Sequence, residues 1–194
     1  MKLYYFAGSC SLATHIALRE AGFDPETIEV SPETRLTRDG RPFGDINPKG
    51  YVPALFLDDG AMLTENVALL DWVAQQSPAL RPADGMGRTR QLEMLSLIST
   101  EIHKAFLALF FLPGEEAKPV IIEQIGRRFD YLAEGLSDDY LLGDAFSVAD
   151  AFLYVMLRWA QASDMKLPGV FDNYIARIAS RPAVKKALAV EGLD

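Results

Sequence analysis

The sequence has few residues that can build covalent or metal cross-links. Its 194 residues include one cysteine, Cys10, and two histidines, His15 and His103. One cysteine cannot form a disulfide within the chain or a thiolate zinc site, and the histidines lie too far apart in sequence for metal-ligand spacing. We therefore predict no metal site, and a reducing compartment, the cytoplasm, is expected.

Basic residues and long apolar runs are also scarce. The chain has 19 Lys and Arg against 27 Asp and Glu, a net charge of −8, which disfavours general nucleic-acid binding. The longest apolar run, Ala105–Leu112, is far shorter than the ~20 residues that span a bilayer. The N-terminal run Leu3–Ala7 is shorter than the roughly 7–15 apolar residues of an export signal. We expect a protein with no nucleic-acid or membrane partner.

The composition predicts a folded chain whose two parts differ in pattern. Hydrophobic residues make up 49% and charged residues 24%, which excludes global disorder. Residues 1–77 alternate short apolar runs with helical stretches, which predicts an α/β domain with a mixed sheet. The predicted strands are Lys2–Phe6, Thr27–Val30, Ala54–Leu57 and Ala61–Leu63, and the predicted helices are 12–20 and Glu65–Gln76.

Strand patterns disappear in the second part of the chain. Residues 78–87 are rich in proline and glycine and form the predicted linker. Apolar residues between Leu92 and Leu109 recur at steps of three and four, which predicts one long amphipathic helix ended by Pro113-Gly114. Further helices are predicted at Pro119–Leu136, Val148–Ala162, Val170–Ser180 and Ala183–Ala189. Residues 88–194 are therefore predicted to be an all-helical domain.

Cys10 is the first candidate for chemistry, because it lies where a strand gives way to a helix. The first backbone N–H groups of that helix, near Ser11 to Ala13, have no helical partner and would lower the pKa of a thiolate. A lone cysteine is, however, as readily a small buried apolar residue. The third residue after it is Ala13, so disulfide exchange at Cys10 would need a small-molecule thiol.

Two further segments could contact a ligand through the backbone. Val52-Pro53 precedes a predicted strand, where a cis bond is possible and the peptide groups of Val52 are free to pair with a ligand. Glu65-Asn66 opens a helix, where Asn66 is a capping residue, free N–H groups could hold a carboxylate and Glu65 an ammonium group. Judged locally, a loop proline and plain helix capping explain the same residues.

Polar residues also mark two helices of the second part. Ser96, Thr100 and His103 share one flank of the long helix and could form a polar strip, although local context favours plain solvated positions for all three. Ser147 and Asp150 have the spacing of a capping box, a folding element.

Six motifs together resemble the cytosolic glutathione S-transferases, most closely the bacterial beta class. The resemblance extends along essentially the whole chain. The motifs are Met1-Lys2-Leu3-Tyr4-Tyr5, Ser9-Cys10-Ser11-Leu12-Ala13, Asn47-Pro48-Lys49-Gly50-Tyr51-Val52-Pro53-Ala54-Leu55, Leu63-Thr64-Glu65-Asn66, Glu101-Ile102-His103-Lys104 and Phe146-Ser147-Val148-Ala149-Asp150-Ala151.

The resemblance implies a thioredoxin-like N-terminal domain with a four-stranded sheet, an α-helical C-terminal domain with the electrophile pocket, and a homodimer. It implies glutathione as co-substrate and no tightly bound cofactor. By matching position, Cys10 lies beside the glutathione sulfur, and Val52, before the cis-proline Pro53, pairs with the cysteinyl part. Glu65 and Asn66 match the pair that holds the γ-glutamyl end.

Other positions match the family less directly. Arg35 falls near a basic residue that reaches the glycyl carboxylate, and Tyr5 near the tyrosine that activates the thiol in other classes. Ser96, Thr100 and His103 match polar positions on the long helix, and His103 joins Cys10 as a candidate catalytic residue. The sequence departs from the family at Asn66, where many members have serine or glycine, and at Ser96, where close relatives have asparagine.

The resemblance leaves three functions open. The first is conjugation of glutathione to hydrophobic electrophiles, a detoxification reaction. The second is glutathione-dependent thiol-disulfide exchange through a mixed disulfide at Cys10, and the third is non-catalytic ligand binding. The sequence does not decide whether Cys10, Ser11 or Tyr5 activates the glutathione thiol, nor which electrophile is used.

Overall fold

Two compact units make up the chain in its computed structural model, which describes residues 1–82, 85–111 and 114–193. The first unit comprises Met1–Leu80 and Arg181–Asp194, and the second comprises Arg81–Ser180. The expected domain of residues 88–194 therefore gives its last helix to the first unit. Part of the predicted linker, residues 83–84, lies outside the described residues, as does Pro113 at the predicted end of the long helix.

The first unit contains a mixed four-stranded sheet, as the sequence predicted. Its strands lie in the order β2-β1-β3-β4, and β1 pairs in parallel with β2 and antiparallel with β3, which pairs antiparallel with β4. Leu3 on β1 lies opposite Leu55 on β3, and both side chains are fully buried. The strands are β1 (Lys2–Tyr5), β2 (Glu26–Glu29), β3 (Ala54–Phe56) and β4 (Met62–Thr64).

Helices pack against this sheet and against one another. Helix α1 contacts α3 and also the last helix, α9, which explains why α9 belongs to the first unit. Helix α2 is a single turn that was not among the predicted helices. The helices of the first unit are α1 (Ser11–Glu20), α2 (Phe43–Ile46), α3 (Asn66–Gln76) and α9 (Pro182–Glu191).

The described part of the second unit is helical, as expected. Its helices are α4 (Gly87–Leu97), a π-helical turn (Ile98–His103), α5 (Lys104–Phe111), α6 (Lys118–Gly135), α7 (Val148–Ala162) and α8 (Val170–Ala179). The predicted single α-helix over residues 92–109 was wrong in one respect, because the π-helical turn interrupts it. Such turns are rare and occur often at functional sites.

The continuous helical stretch Gly87–Phe111 has 25 residues and, in its most apolar window, a mean hydropathy of 1.4. Among the described residues it is the one helix long and apolar enough to cross a membrane by length and composition. Core helices of soluble proteins pass the same test, so this is weak evidence for a membrane span.

Helix α7 begins at the predicted capping box. The buried Asp150 carboxylate accepts from the Ser147 N–H at 2.8 Å, the Leu141 N–H at 2.9 Å and the Tyr174 hydroxyl at 2.7 Å. Burial nevertheless raises the pKa of Asp150, because desolvation outweighs these hydrogen bonds. The box therefore ties the start of α7 to the preceding loop and to α8.

Candidate functional site

Cys10 lies at the turn between β1 and α1, as the N-cap residue of α1. The prediction that the N–H groups of Ser11 to Ala13 are free was wrong. The Leu12 N–H donates to the Ser9 carbonyl at 3.0 Å and the Ala13 N–H to the Cys10 carbonyl at 3.2 Å. The Ser11 N–H lies 3.3 Å from the Ser9 hydroxyl oxygen. The start of α1 is therefore largely satisfied by its own turn.

The Cys10 thiol is held protonated, which favours the buried cysteine over the thiolate among the two interpretations that the sequence left open. Burial raises its pKa to about 12, and hydrogen bonds from backbone N–H groups and the Asn66 side chain only partly oppose this. The thiol instead donates to the Val52 carbonyl, with 3.8 Å between sulfur and oxygen. At neutral pH the group is thus a hydrogen-bond donor and a poor nucleophile.

The Val52-Pro53 peptide bond is cis, which the resemblance implied. Both residues are buried, and Val52 is 6% exposed. The turn brings the Val52 carbonyl to the Cys10 sulfur although 42 residues separate them in sequence. Val52 therefore presents its backbone at the same place as the Cys10 side chain.

Glu65 precedes α3 with a positive φ of 70°, which is unusual for a residue other than glycine. Such strained backbones cost about 1–3 kcal/mol and cluster at functional sites. Its carboxylate accepts from Lys49 Nζ at 2.6 Å and from the Tyr51 hydroxyl at 2.7 Å. These two hydrogen bonds lower the pKa of Glu65, with Lys49 contributing most. The carboxylate is therefore ionised and exposed, as an ammonium-binding group must be.

Asn66 is the first residue of α3 and not its cap, so the predicted capping role was wrong. Its side chain is 8% exposed and bonds to α1. The Nδ2 atom donates to the Cys10 carbonyl at 2.9 Å, and the Oδ1 atom accepts from the Thr14 hydroxyl at 2.8 Å. The backbone N–H groups at the start of α3 have no partner in the preceding helical turn.

Arg35 lies on the loop between β2 and α2, in a left-handed backbone conformation with φ of 58°. Its guanidinium lies 5.3 Å from the Phe6 ring centroid, and Nη1 lies 3.4 Å from the Gly50 carbonyl oxygen. Because Gly50 belongs to the loop that leads to Val52, the structure places Arg35 beside this loop. Its side chain is exposed.

Tyr5 and Ser11, the other candidates for thiol activation, face inward. Tyr5 is 6% exposed, and burial raises the pKa of its hydroxyl. Ser11 is fully buried, and its hydroxyl donates to the Phe6 carbonyl at 3.3 Å. Cys10 is partly exposed, so it is the most accessible of the three.

Ser96, Thr100 and His103 all belong to the second unit. Ser96 and Thr100 are exposed, and the Thr100 hydroxyl donates to the Ser96 carbonyl at 3.0 Å. His103 ends the π-helical turn, and its Nε2 atom is buried with no hydrogen-bond partner among the described residues. Burial lowers the pKa of His103 to about 4, and Lys104 adds to this shift. The ring is therefore neutral at pH 7.

Aromatic rings surround His103. Its ring centroid lies 5.5 Å from that of Trp159, which in turn lies 5.4 Å from Phe110 and 5.7 Å from Phe106. Phe106 is fully buried and serves as core, whereas Phe110 and Phe111 are 45% and 76% exposed. The cluster offers an accessible apolar surface in the second unit.

The structure thus brings together six predicted site residues within the first unit: Cys10, Arg35, Val52, Pro53, Glu65 and Asn66. Sequence patterns missed the partners that hold them, namely Thr14, Lys49 and Tyr51. Lys49 and Tyr51 belong to the motif before Val52, but no local spacing relates them to Glu65. The lysine in that motif was the available signal, because a cation can pair with a carboxylate elsewhere in the chain.

Three features define the class of fold. They are a thioredoxin-like unit with a cysteine at its first helix, a cis-proline loop beside that cysteine, and a separate helical unit. Residues 7–76 match the glutathione S-transferase N-terminal domain family, and residues 71–186 match the corresponding C-terminal domain family. The chain is also 41% identical to glutathione S-transferase GstA of Escherichia coli O157:H7 over 200 aligned positions, covering all of both chains. The chain belongs to the glutathione S-transferase family.

Solved structures agree with this assignment. A sphingomonad glutathione S-transferase complexed with glutathione is 45% identical, is matched over the full length of both chains and has a TM-score of 0.90. A bacterial beta class glutathione S-transferase from Sphingomonas chungbukensis is 42% identical over the full length of both chains, also with a TM-score of 0.90. The expected resemblance to the beta class is confirmed.

Proposed function

We propose that the protein conjugates reduced glutathione to hydrophobic electrophiles, with glutathione as a co-substrate bound to the first unit. The observation that carries this proposal is the protonated Cys10 thiol beside the Val52 carbonyl. A neutral thiol can donate a hydrogen bond to a bound thiolate, which lowers the pKa of the bound thiol. Because the chain belongs to the glutathione S-transferase family, we take this bound thiol to be that of glutathione.

Each end of the tripeptide has a matching group on the first unit. The exposed Glu65 carboxylate suits the α-ammonium group of the γ-glutamyl residue, and the N–H groups at the start of α3 suit its carboxylate. The Val52 backbone pairs with the cysteinyl peptide, next to Cys10. Arg35, an exposed cation beside the same loop, suits the glycyl carboxylate.

For conjugation, the protein needs mainly to position the two reactants and to stabilise the negative charge on the sulfur. Glutathione's thiol loses its proton to solvent or to a nearby base, and the Cys10 S–H turns from the Val52 carbonyl and donates to the sulfur anion instead. The thiolate attacks the electrophilic carbon, a carbon–sulfur bond forms, and the leaving group departs with its electron pair. His103, a neutral imidazole whose buried Nε2 has no partner among the described residues, stays a candidate catalytic residue by its matching position alone.

Residues of the second unit complete this proposal. The rings of Phe110 and Phe111 give this unit an exposed apolar surface suited to an electrophile, and Ser96 and Thr100 give it exposed polar groups. Two copies form a homodimer in the cytoplasm, without a nucleic-acid or membrane partner. Thiol-disulfide exchange is disfavoured, because a thiol with a pKa of about 12 is almost wholly protonated at pH 7.

The test is the rate of glutathione conjugation to 1-chloro-2,4-dinitrobenzene in the wild type, Cys10→Ala and Glu65→Gln. We expect a clear wild-type rate, a rate in Cys10→Ala that is lower but measurable, and a raised KM for glutathione in Glu65→Gln. Lys118→Ala, which removes an exposed ion pair in the other unit, is the matched control. A wild-type protein that neither binds glutathione nor conjugates it would leave no support for the proposal.

A further inference from the structure

The side chain of Asn66 joins two helix starts that are far apart in sequence. It bonds to Cys10, 56 residues away, and to Thr14, 52 residues away. A carbonyl oxygen can only accept, so the group facing the Cys10 carbonyl must be the amide Nδ2. The Thr14 hydroxyl must therefore donate to Oδ1, and the orientation of the amide is determined.

The bond to Thr14 is buried, and the bond to the Cys10 carbonyl is partly buried. Thr14 is fully buried and Asn66 is 8% exposed. A hydrogen bond there is stronger than on the surface, and loss of one partner leaves the other unsatisfied. An asparagine satisfies both partners at once because its donor and acceptor are separate atoms, whereas a shorter hydroxyl side chain has one oxygen for both.

The two helix starts that Asn66 joins are the ones assigned above to opposite parts of glutathione. The start of α3, with Glu65, is the proposed site of the γ-glutamyl end. The start of α1 carries Cys10, the proposed donor to the sulfur. The distance between these two groups decides whether one tripeptide can reach both, so a rigid link between the helices contributes to binding.

We propose that Asn66 is a positioning residue, whose side chain sets the Cys10 turn relative to the start of α3 through its bonds to the Cys10 carbonyl and the Thr14 hydroxyl. This inference rests on the proposed function. It assigns Thr14, which is buried inside the first unit, a share in glutathione binding. If the Asn66 side chain only contacted glutathione, a change at Thr14 would not alter glutathione binding.

The test is a double-mutant cycle on Asn66→Ala and Thr14→Val, with the Kd for glutathione measured by calorimetry at 20 °C. Thr14→Val keeps the shape of the side chain and removes the hydroxyl. We expect it to raise the Kd about fivefold, which corresponds to one neutral hydrogen bond of about 1 kcal/mol. The double variant should bind no more weakly than Asn66→Ala, because both changes break one linkage.

Two controls separate positioning from loss of stability. Thr14→Ser retains the hydroxyl and should restore the wild-type Kd. The KM for 1-chloro-2,4-dinitrobenzene should stay unchanged in all variants, while the KM for glutathione rises. A purely structural role would lower the melting temperature without moving the Kd of the folded protein, and this result would overturn the inference.

The remaining outcomes are also decisive. A Thr14→Val Kd within twofold of the wild type, or a double variant whose Kd change equals the product of the single changes, would refute the positioning role alone. A wild type that does not bind glutathione would overturn both this inference and the proposed function. If Asn66→Ala does not fold, Thr14→Val and its serine control carry the test by themselves.

Discussion

Glu191, on the last helix, should be among the side chains on which the stability of the first unit most depends. Its carboxylate is fully buried and accepts from His15 Nδ1 at 2.9 Å and from the Gly8 N–H at 3.0 Å. His15 Nε2 in turn accepts from Arg19 Nε at 3.3 Å, which places the histidine proton on Nδ1. Glu191→Ala therefore removes the acceptor of two donors.

The expected cost follows from these two donors. A buried donor left unsatisfied costs about 1–3 kcal/mol. Because two donors lose their acceptor, we expect Glu191→Ala to lower the free energy of unfolding by about 2–6 kcal/mol. For a chain of this size, 1 kcal/mol corresponds to about 2–4 °C, so the melting temperature should fall by about 4–24 °C.

The assay is thermal and urea unfolding at one fixed protein concentration, with Lys186→Ala as the matched control. Lys186 lies on the same helix and pairs with Asp24 at 3.2 Å, but both side chains are more than half exposed, at 57% and 73%. An exposed pair contributes about 0–1 kcal/mol. Equal losses in the two variants would refute the argument that burial makes the Glu191 contacts expensive to break.

Three further predictions concern titration and capping. Alkylation of Cys10 by iodoacetamide should be slow at pH 7 and rise tenfold per pH unit through pH 10, because its pKa is raised to about 12; a plateau below pH 9 would contradict this. His103 should titrate near pH 4 by NMR, and stability should fall as the pH drops from 6.5 through 4, since folding favours the neutral ring; a midpoint above 6 would disprove its burial. Asp150→Ala should lower the free energy of unfolding, measured with urea, by about 3 kcal/mol or more, against about 1 kcal/mol for Ser147→Ala. Equal decreases in the two variants would contradict a stabilising role for the Asp150 contacts to Leu141 and Tyr174.

Local patterns predicted the elements whose boundaries depend on local chemistry. Helix α7 begins at Val148 and ends at Ala162, as predicted, because the Ser147 and Asp150 capping box specifies its start. Strand β3 starts at Ala54 as predicted, directly after the cis-proline turn. Both signals lie within a few residues of the boundary that they determine.

Features that depend on distant residues were not predictable in this way. The π-helical turn at Ile98–His103 changes the register of a helix whose apolar spacing alone is compatible with an uninterrupted α-helix. The docking of α9 on α1 uses a buried carboxylate and a histidine 176 residues apart. Neither contact leaves a periodic signal in the sequence, since each depends on which surfaces meet after folding.

Cys10 shows how the same limit affects chemistry. The sequence predicted a helix start at Cys10, which would lower the pKa of the thiol, and left a buried apolar cysteine as the alternative. The N–H groups of Cys10 and Ser11 do lower this pKa. Burial acts in the opposite direction and outweighs them, and burial is a property of the whole fold. The reversal changes the function that the site favours. A thiolate would attack a disulfide, whereas a protonated thiol can donate to the anion of a second thiol. Conjugation therefore agrees better with the Cys10 environment than exchange does, although both reactions would use the same residues.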